Sequence, residues 1–163
     1  MSRGEARRLL PRLIVSIFLC AGCAAATPAK PDPAMVVTPF EEATFTPVNP
    51  NLPDGPQLSV LWGDPSTGPS AVLMKLTRGS VPMHTHSSDY HLVVLRGTMK
   101  HWGEGQTEAE ARELGPGGYW FQPGNQVHGD SCLTDECLMQ IVWAGKRDAK
   151  LAPQEAATMR DKE

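Results

Sequence analysis

The 163-residue sequence has no block of like charge, no internal repeat and almost no helical periodicity. Lysine and arginine together number 15 against 18 aspartates and glutamates, and both signs are scattered along the chain. A nucleic acid or an anionic membrane surface is therefore an unfavourable partner, because both are bound through clustered cations. Helical spacing of apolar residues occurs only at Gln154–Arg160, which argues against an α-helical domain.

The N-terminus has the layout of a secretory signal peptide. Four arginines within the first twelve residues precede the apolar run Leu13–Cys20, which is too short to span a bilayer comfortably. Ala21-Gly22-Cys23 then resembles the end of a bacterial lipobox, in which Cys23 becomes the lipidated first residue of the mature protein. Cleavage after Ala24-Ala25-Ala26 and an uncleaved anchor helix are the alternatives.

These features predict export to the periplasm, with membrane contact only through an N-terminal lipid anchor. Because residues 1–22 carry four arginines and one glutamate, their removal changes the formal net charge from −3 to −6. Residues 23–38 are rich in proline and alanine and are expected to form a tether. The folded domain is predicted over 39–145, followed by a polar, frayed tail over 146–163.

Residues 39–145 predict a single all-β domain. Short apolar segments are separated by Gly, Pro, Asn and Asp, a pattern typical of a β-sandwich or barrel. Phe40–Val48 is expected to lie along the domain as an edge strand, since nearby prolines disfavour a central one. The other predicted strands are Leu58–Trp62, Ala71–Thr77, Val81–Thr85, Tyr90–Leu95, Thr98–Trp102, Glu108–Leu114, Tyr119–Gln122, Val127–Ser131 and Leu138–Trp143.

Two cysteines lie within this domain. Cys132 and Cys137 flank Leu-Thr-Asp-Glu, and Thr134-Asp135 can turn a hairpin that brings their side chains together. An exported chain meets an oxidising compartment, so we predict a disulfide. The alternative is a pair of free buried thiols, and a metal site is disfavoured because no second cysteine pair completes one.

Three histidines occupy positions typical of metal ligands. His84 and His86 are separated by one residue, so on a strand both side chains point to the same face. Two imidazoles on one face can share a metal ion at roughly 2.0–2.1 Å each, although an isolated pair is also common on surfaces. Later in the chain, His128 follows the turn Pro123-Gly124 and supplies a third imidazole.

These two stretches together resemble the cupin family. The first cupin motif has a glycine, H-x-H, a glutamate three or four residues on and a glycine after six more; His84, His86 and Gly97 match it. The second motif has a glycine, five residues, a proline, a turn and a histidine, as in Gly117–His128. Tyr90 stands where the family has glutamate, which leaves the first motif incomplete.

The resemblance implies a jelly-roll barrel whose interior cavity holds one divalent metal ion bound by His84, His86 and His128. Iron, manganese, zinc, nickel and copper all accept imidazole, so the sequence does not choose among them. Tyr90 is predicted to face the ion and to hydrogen-bond a substrate; the alternative is a core aromatic residue. If a β-bulge exchanges the faces of these two neighbours, His91 points inward instead of Tyr90 and is an alternative ligand.

Three other polar residues lie near the motifs. His101 is interpreted as a surface or core histidine rather than a ligand. Asp89 and Asp130 adjoin the histidines, where each can orient a ligand imidazole or lie in an exposed turn.

Cupins with this arrangement include three-histidine dioxygenases that cleave diketones, while others are binding or metal-sensing modules. We therefore predict a small metal-dependent oxygenase that acts on an anionic, chelating small molecule. The alternative is a non-catalytic periplasmic cupin that binds a small ligand or a metal, which the missing glutamate favours. The resemblance also implies a homodimer formed by exchange of edge strands, with Phe40–Val48 as the exchanged segment.

Overall fold

The computed structural model describes residues 34–153, and those from Val37 onward belong to one compact unit. The predicted signal peptide, Cys23, most of the tether and Gln154–Arg160 lie outside these residues. Within them, the only helical element is the short 3-10 turn Phe40–Glu42. In this part of the chain no helix is long and apolar enough to cross a membrane.

Nine strands of the described residues form one antiparallel sheet. They are β1 (Thr46–Pro47), β2 (Gln57–Gly63), β3 (Ser70–Thr85), β4 (Tyr90–Arg96), β5 (Met99–Gly103), β6 (Glu113–Leu114), β7 (Tyr119–Gln122), β8 (His128–Trp143) and β9 (Lys150–Leu151). The main path runs β1-β2-β3-β8-β4-β7, while β5 pairs with β6 and β8, and β9 pairs with β3. The predicted all-β class is confirmed.

Two long strands, β3 and β8, replace four of the shorter predicted strands. They pair from Ser70 opposite Trp143 to His84 opposite His128, with one register shift at the predicted break after Thr77 and a second between Val81 and His84, inside a predicted strand. Alternate side chains of β3, β4 and β8 point inward and form the core, as the twofold periodicity of a strand requires. The inward residues include Val72, Met74, Leu76, Leu92, Val94, Met139, Ile141 and Trp143.

The predicted disulfide joins Cys132 and Cys137, with 5.8 Å between their Cα atoms. The hairpin predicted between them is wrong, because β8 stays antiparallel to β3 on both sides of the pair. The disulfide instead closes a bulge in β8 over residues 133–135. Gly97 faces this bulge with φ +85°, and a Cβ there would lie 2.9 Å from Sγ of Cys137.

The segment after β8 is part of the domain, so the prediction of a frayed tail is wrong for residues 146–151. Lys150–Leu151 forms β9 against β3, with Leu151 opposite His84. The amide of Ala152 also donates to the carbonyl of Met83 at 2.9 Å. At the other end of the domain, the predicted edge strand shortens to Thr46–Pro47, which pairs with β2.

Candidate metal centre

Three buried histidines, His84, His86 and His128, meet inside the barrel and are called here the three-histidine cluster. The first two lie near the end of β3, and His128 begins β8 directly opposite His84. Their exposed fractions are 7%, 9% and 0%, and the candidate ligand atoms all lie within 4.8 Å of one another. The structure therefore brings together the three predicted ligands.

Backbone carbonyls fix the orientation of all three imidazoles. In each ring Nδ1 faces a carbonyl oxygen, which can only accept a hydrogen bond, so Nδ1 carries the proton. Each Nε2 is then left with a lone pair directed toward the other two rings. The carbonyls are those of Pro82 for His84 (2.8 Å), Asp148 for His86 and Gln126 for His128 (3.0 Å).

The spacing of these lone pairs fits a metal ion. The Nε2 atoms of His84 and His86 are 3.1 Å apart. With both Nδ1 atoms protonated, two acceptors face each other at this distance, which is unfavourable unless a cation lies between them. Ligands bound to one ion at about 2.0–2.1 Å lie roughly 3 Å or more from each other. The donor set therefore fits a divalent metal.

Burial keeps two of the three imidazoles neutral, those of His86 and His128. Desolvation lowers the pKa of His86 from 6.5 to about 4, reinforced by His84, His128 and Arg147 and opposed by its bond to the carbonyl of Asp148. The pKa of His128 is also lowered, chiefly by burial. Both imidazoles are unprotonated at neutral pH, the form that binds a metal.

The structure settles which neighbour on β4 faces inward. Tyr90 is 3% exposed, and its hydroxyl lies 3.4 Å from Nε2 of His128 and accepts a 3.3 Å bond from the indole of Trp120. Burial, with the nearby carboxylate of Asp130, raises its pKa well above the ordinary value, so the phenol stays protonated. The alternative ligand His91 is exposed and instead bonds the hydroxyl of Tyr119 at 2.8 Å.

Sequence reasoning underestimated Asp130 and His101. Asp130 is buried, and its Oδ1 accepts a 2.7 Å bond from Nδ1–H of His101. His101 stacks on Trp120 with 4.7 Å between ring centroids, so it is a partly buried residue of the site. The signal was present, since positions 128 and 130 share a face of β8. Asp89, by contrast, accepts a bond from the amide of Gly124 and serves the turn.

A cavity of about 210 Å³ opens beside the cluster. Its walls are mainly apolar, with His84, His86, Tyr90, Asp130 and Arg147 as the polar contributors. Arg147 was assigned to the tail, and no sequence signal marked it as a cavity residue. The volume is below the roughly 300–1,000 Å³ typical of drug-sized ligands, so the cavity suits a small molecule.

Residues 37–163 match the family model described as a domain of unknown function, DUF4437. The chain belongs to this family. No curated protein matches this DUF4437 chain.

Solved structures of several cupins share the fold of the DUF4437 domain. KdgF from Halomonas sp. shares 24% identity at a TM-score of 0.56, covering 71% of this chain and 97% of its own. The polyketide cyclase RemF from Streptomyces resistomycificus shares 18% at 0.57, covering 73% and 86%. An RmlC-like cupin from Shewanella frigidimarina NCIMB 400 shares 17% at 0.53, covering 68% and 92%. The predicted cupin jelly roll is confirmed.

Proposed function

We propose that this DUF4437 protein is a metal-dependent enzyme acting on a small, anionic, chelating molecule, with oxygen-dependent cleavage as its reaction. The observation that carries the proposal is the three-histidine cluster, whose lone pairs converge at the wall of an apolar cavity. A divalent ion bound there would supply Lewis acidity and open coordination positions for substrate. The cavity would exclude water, which strengthens every electrostatic contact made with the substrate.

Arg147 supports an anionic substrate. Its Nε is buried and has no hydrogen-bond partner among the described residues, although its side chain lines the cavity. Burial lowers its pKa, opposed by the carboxylate of Asp148. An unpaired buried donor costs free energy, which a carboxylate would recover through charge-assisted hydrogen bonds. This arrangement fits a substrate that chelates the ion through two oxygens and carries a further anionic group. A dicarbonyl acid and a hydroxy acid are examples.

Tyr90 supports catalysis at the same site. Its protonated hydroxyl lies beside Nε2 of His128, where it can donate to a substrate oxygen on which negative charge develops. The fold also carries catalysis elsewhere, since the neighbour RemF is a polyketide cyclase. A non-catalytic binding module remains the second candidate, favoured by Tyr90 in place of the cupin glutamate.

An oxygen electrode separates these two functions and tests Arg147. Protein loaded with Fe(II) or Mn(II) is expected to consume oxygen when a 1,3-dicarbonyl acid is added. Arg147→Ala should raise the KM for this acid by about 10- to 100-fold, because a charged hydrogen bond is lost. Arg147→Lys keeps the positive charge and should recover part of the lost substrate affinity. Lys146→Ala is the matched control, because this neighbouring cation is exposed and its Nζ lies 4.0 Å from a carboxylate oxygen of Asp148. Tight binding without turnover of any chelator would favour the binding module, and an unchanged KM would remove Arg147 from the substrate site.

We also propose that the protein is an exported lipoprotein. The support is the basic and apolar N-terminus that ends in Ala21-Gly22-Cys23. Cys23→Ala is expected to move the protein to the soluble periplasmic fraction or to block its processing, because the lipid attaches at this thiol. Membrane fractionation and N-terminal mass spectrometry measure this; an unmodified N-terminus at Thr27 in the wild type would indicate ordinary signal peptidase cleavage instead.

A further inference from the structure

The only buried carboxylate among residues 34–153 lies beside the three-histidine cluster. Asp130 is 8% exposed, lines the cavity and follows His128 by two positions on β8, so the two side chains lie on the same face of the strand. Its Oδ1 is bonded to His101, while Oδ2 makes no hydrogen bond within the described residues. Oδ2 lies on the wall of a mainly apolar cavity, where a carboxylate oxygen without a hydrogen bond favours a positive group beside it.

We propose that Asp130 is a fourth metal ligand, binding through Oδ2 and supplying the carboxylate that Tyr90 does not. The inference rests on the metal site of the proposed function. Oδ2 lies 3.9 Å from Nε2 of His84 and 4.0 Å from Nε2 of His128. These separations are too long for hydrogen bonds. They are at the long end of the separations possible for two donor atoms bound to one ion at about 2.0–2.2 Å, longer than the roughly 3.4 Å of a regular tetrahedral site, so Oδ2 is at the edge of the coordination sphere and moves inward when it binds.

An orienting role for Asp130 does not explain this placement. A carboxylate that orients a ligand imidazole accepts from the ring nitrogen that faces away from the metal. In all three histidines that nitrogen is Nδ1, which already donates to a backbone carbonyl. Asp130 approaches the Nε2 side instead, where the lone pairs converge.

His101 holds the carboxylate in this position. Its Nδ1–H bonds Oδ1, its other ring nitrogen lies 3.0 Å from Oε1 of Gln122, and its ring stacks on Trp120. Oδ2 is thereby turned toward the cluster. A divalent ion bound by neutral imidazoles and by the carboxylate of Asp130 has a formal charge of one instead of two. Arg147 then supplies the second positive charge needed to balance a doubly anionic substrate.

Cobalt(II) titration of the purified full chain tests the proposal. Wild type is expected to bind one Co(II), and Asp130→Asn to lose affinity by at least the roughly 10- to 100-fold seen when a supporting partner is removed, with a changed visible spectrum. His101→Phe keeps a ring that can stack on Trp120 and removes the hydrogen bond to Oδ1. We therefore expect a smaller loss of Co(II) affinity than in Asp130→Asn, with a visible spectrum like that of wild type. Asp135→Asn is the control, an exposed carboxylate on the same strand. Unchanged affinity and spectrum in Asp130→Asn would overturn the proposal.

Infrared difference spectroscopy of wild-type protein labelled with ¹³C-aspartate keeps the test independent of variant folding. Adding Zn(II) is expected to shift the stretching bands of one buried carboxylate. If Zn(II) binds and no aspartate band moves, Asp130 is not a ligand, although the three-histidine site stands. If neither Zn(II) nor Co(II) binds wild type, the metal-dependent function itself fails.

Discussion

Replacing His128 with alanine is expected to reduce affinity for Zn(II) or Co(II) by more than the roughly 10- to 100-fold typical of losing an outer-sphere partner. His128 is the only member of the three-histidine cluster on β8, so its loss leaves His84 near the end of β3 and His86 directly after that strand. Two imidazoles chelate far less well than three. His128 is fully buried and its Nδ1 is held by the carbonyl of Gln126, so its Nε2 has a fixed direction toward the other two imidazoles.

Metal stoichiometry by elemental analysis, with the Kd from competition against a chromophoric chelator, measures this loss. His91→Ala is the matched control, since His91 is exposed on β4 and bonds Tyr119 outside the cavity. It should bind metal as wild type does. Full occupancy in the His84→Ala/His128→Ala double variant would place the binding site elsewhere.

The local part of this centre could be predicted from the sequence. H-x-H on a strand places two imidazoles on one face through the period of the pleat alone. The third histidine required the cupin resemblance, because its pairing opposite His84 depends on the register between β3 and β8. The inward direction of Tyr90 followed from counting back from Gly97, and β4 indeed has no register shift near Tyr90.

The supporting residues could not be predicted, because their contacts are distant in sequence. The carbonyl that holds Nδ1 of His86 belongs to Asp148. Arg147 lines the cavity on the same segment, which leads into β9 and its pairing with β3. A polar segment near a C-terminus gives no local sign of this docking. The hairpin expected at Thr134-Asp135 failed for a related reason: the turn residues are real, but pairing with β3 on both sides keeps the strand direction.

Tyr90→Phe is expected to keep the metal and lose turnover by about 100-fold or more, the usual effect of removing one donor that stabilises developing negative charge. Phenylalanine keeps the ring that packs 4.7 Å from Trp143, so the barrel interior is preserved. Only the hydroxyl is lost, which lies 3.4 Å from Nε2 of His128. Because burial holds the phenol protonated, its contribution is a hydrogen bond rather than a phenolate ligand.

Steady-state kinetics and metal analysis of the same preparations distinguish the roles open to Tyr90. Tyr119→Phe is a close control, since Tyr119 is the other tyrosine of the sequence and its exposed hydroxyl bonds His91. A fall in kcat with unchanged metal content is the expected result for Tyr90→Phe, with Tyr119→Phe near wild type. Full kcat in Tyr90→Phe would make Tyr90 a core aromatic that fills the space left by the cupin glutamate. Loss of metal along with activity would instead make its oxygen part of the coordination sphere.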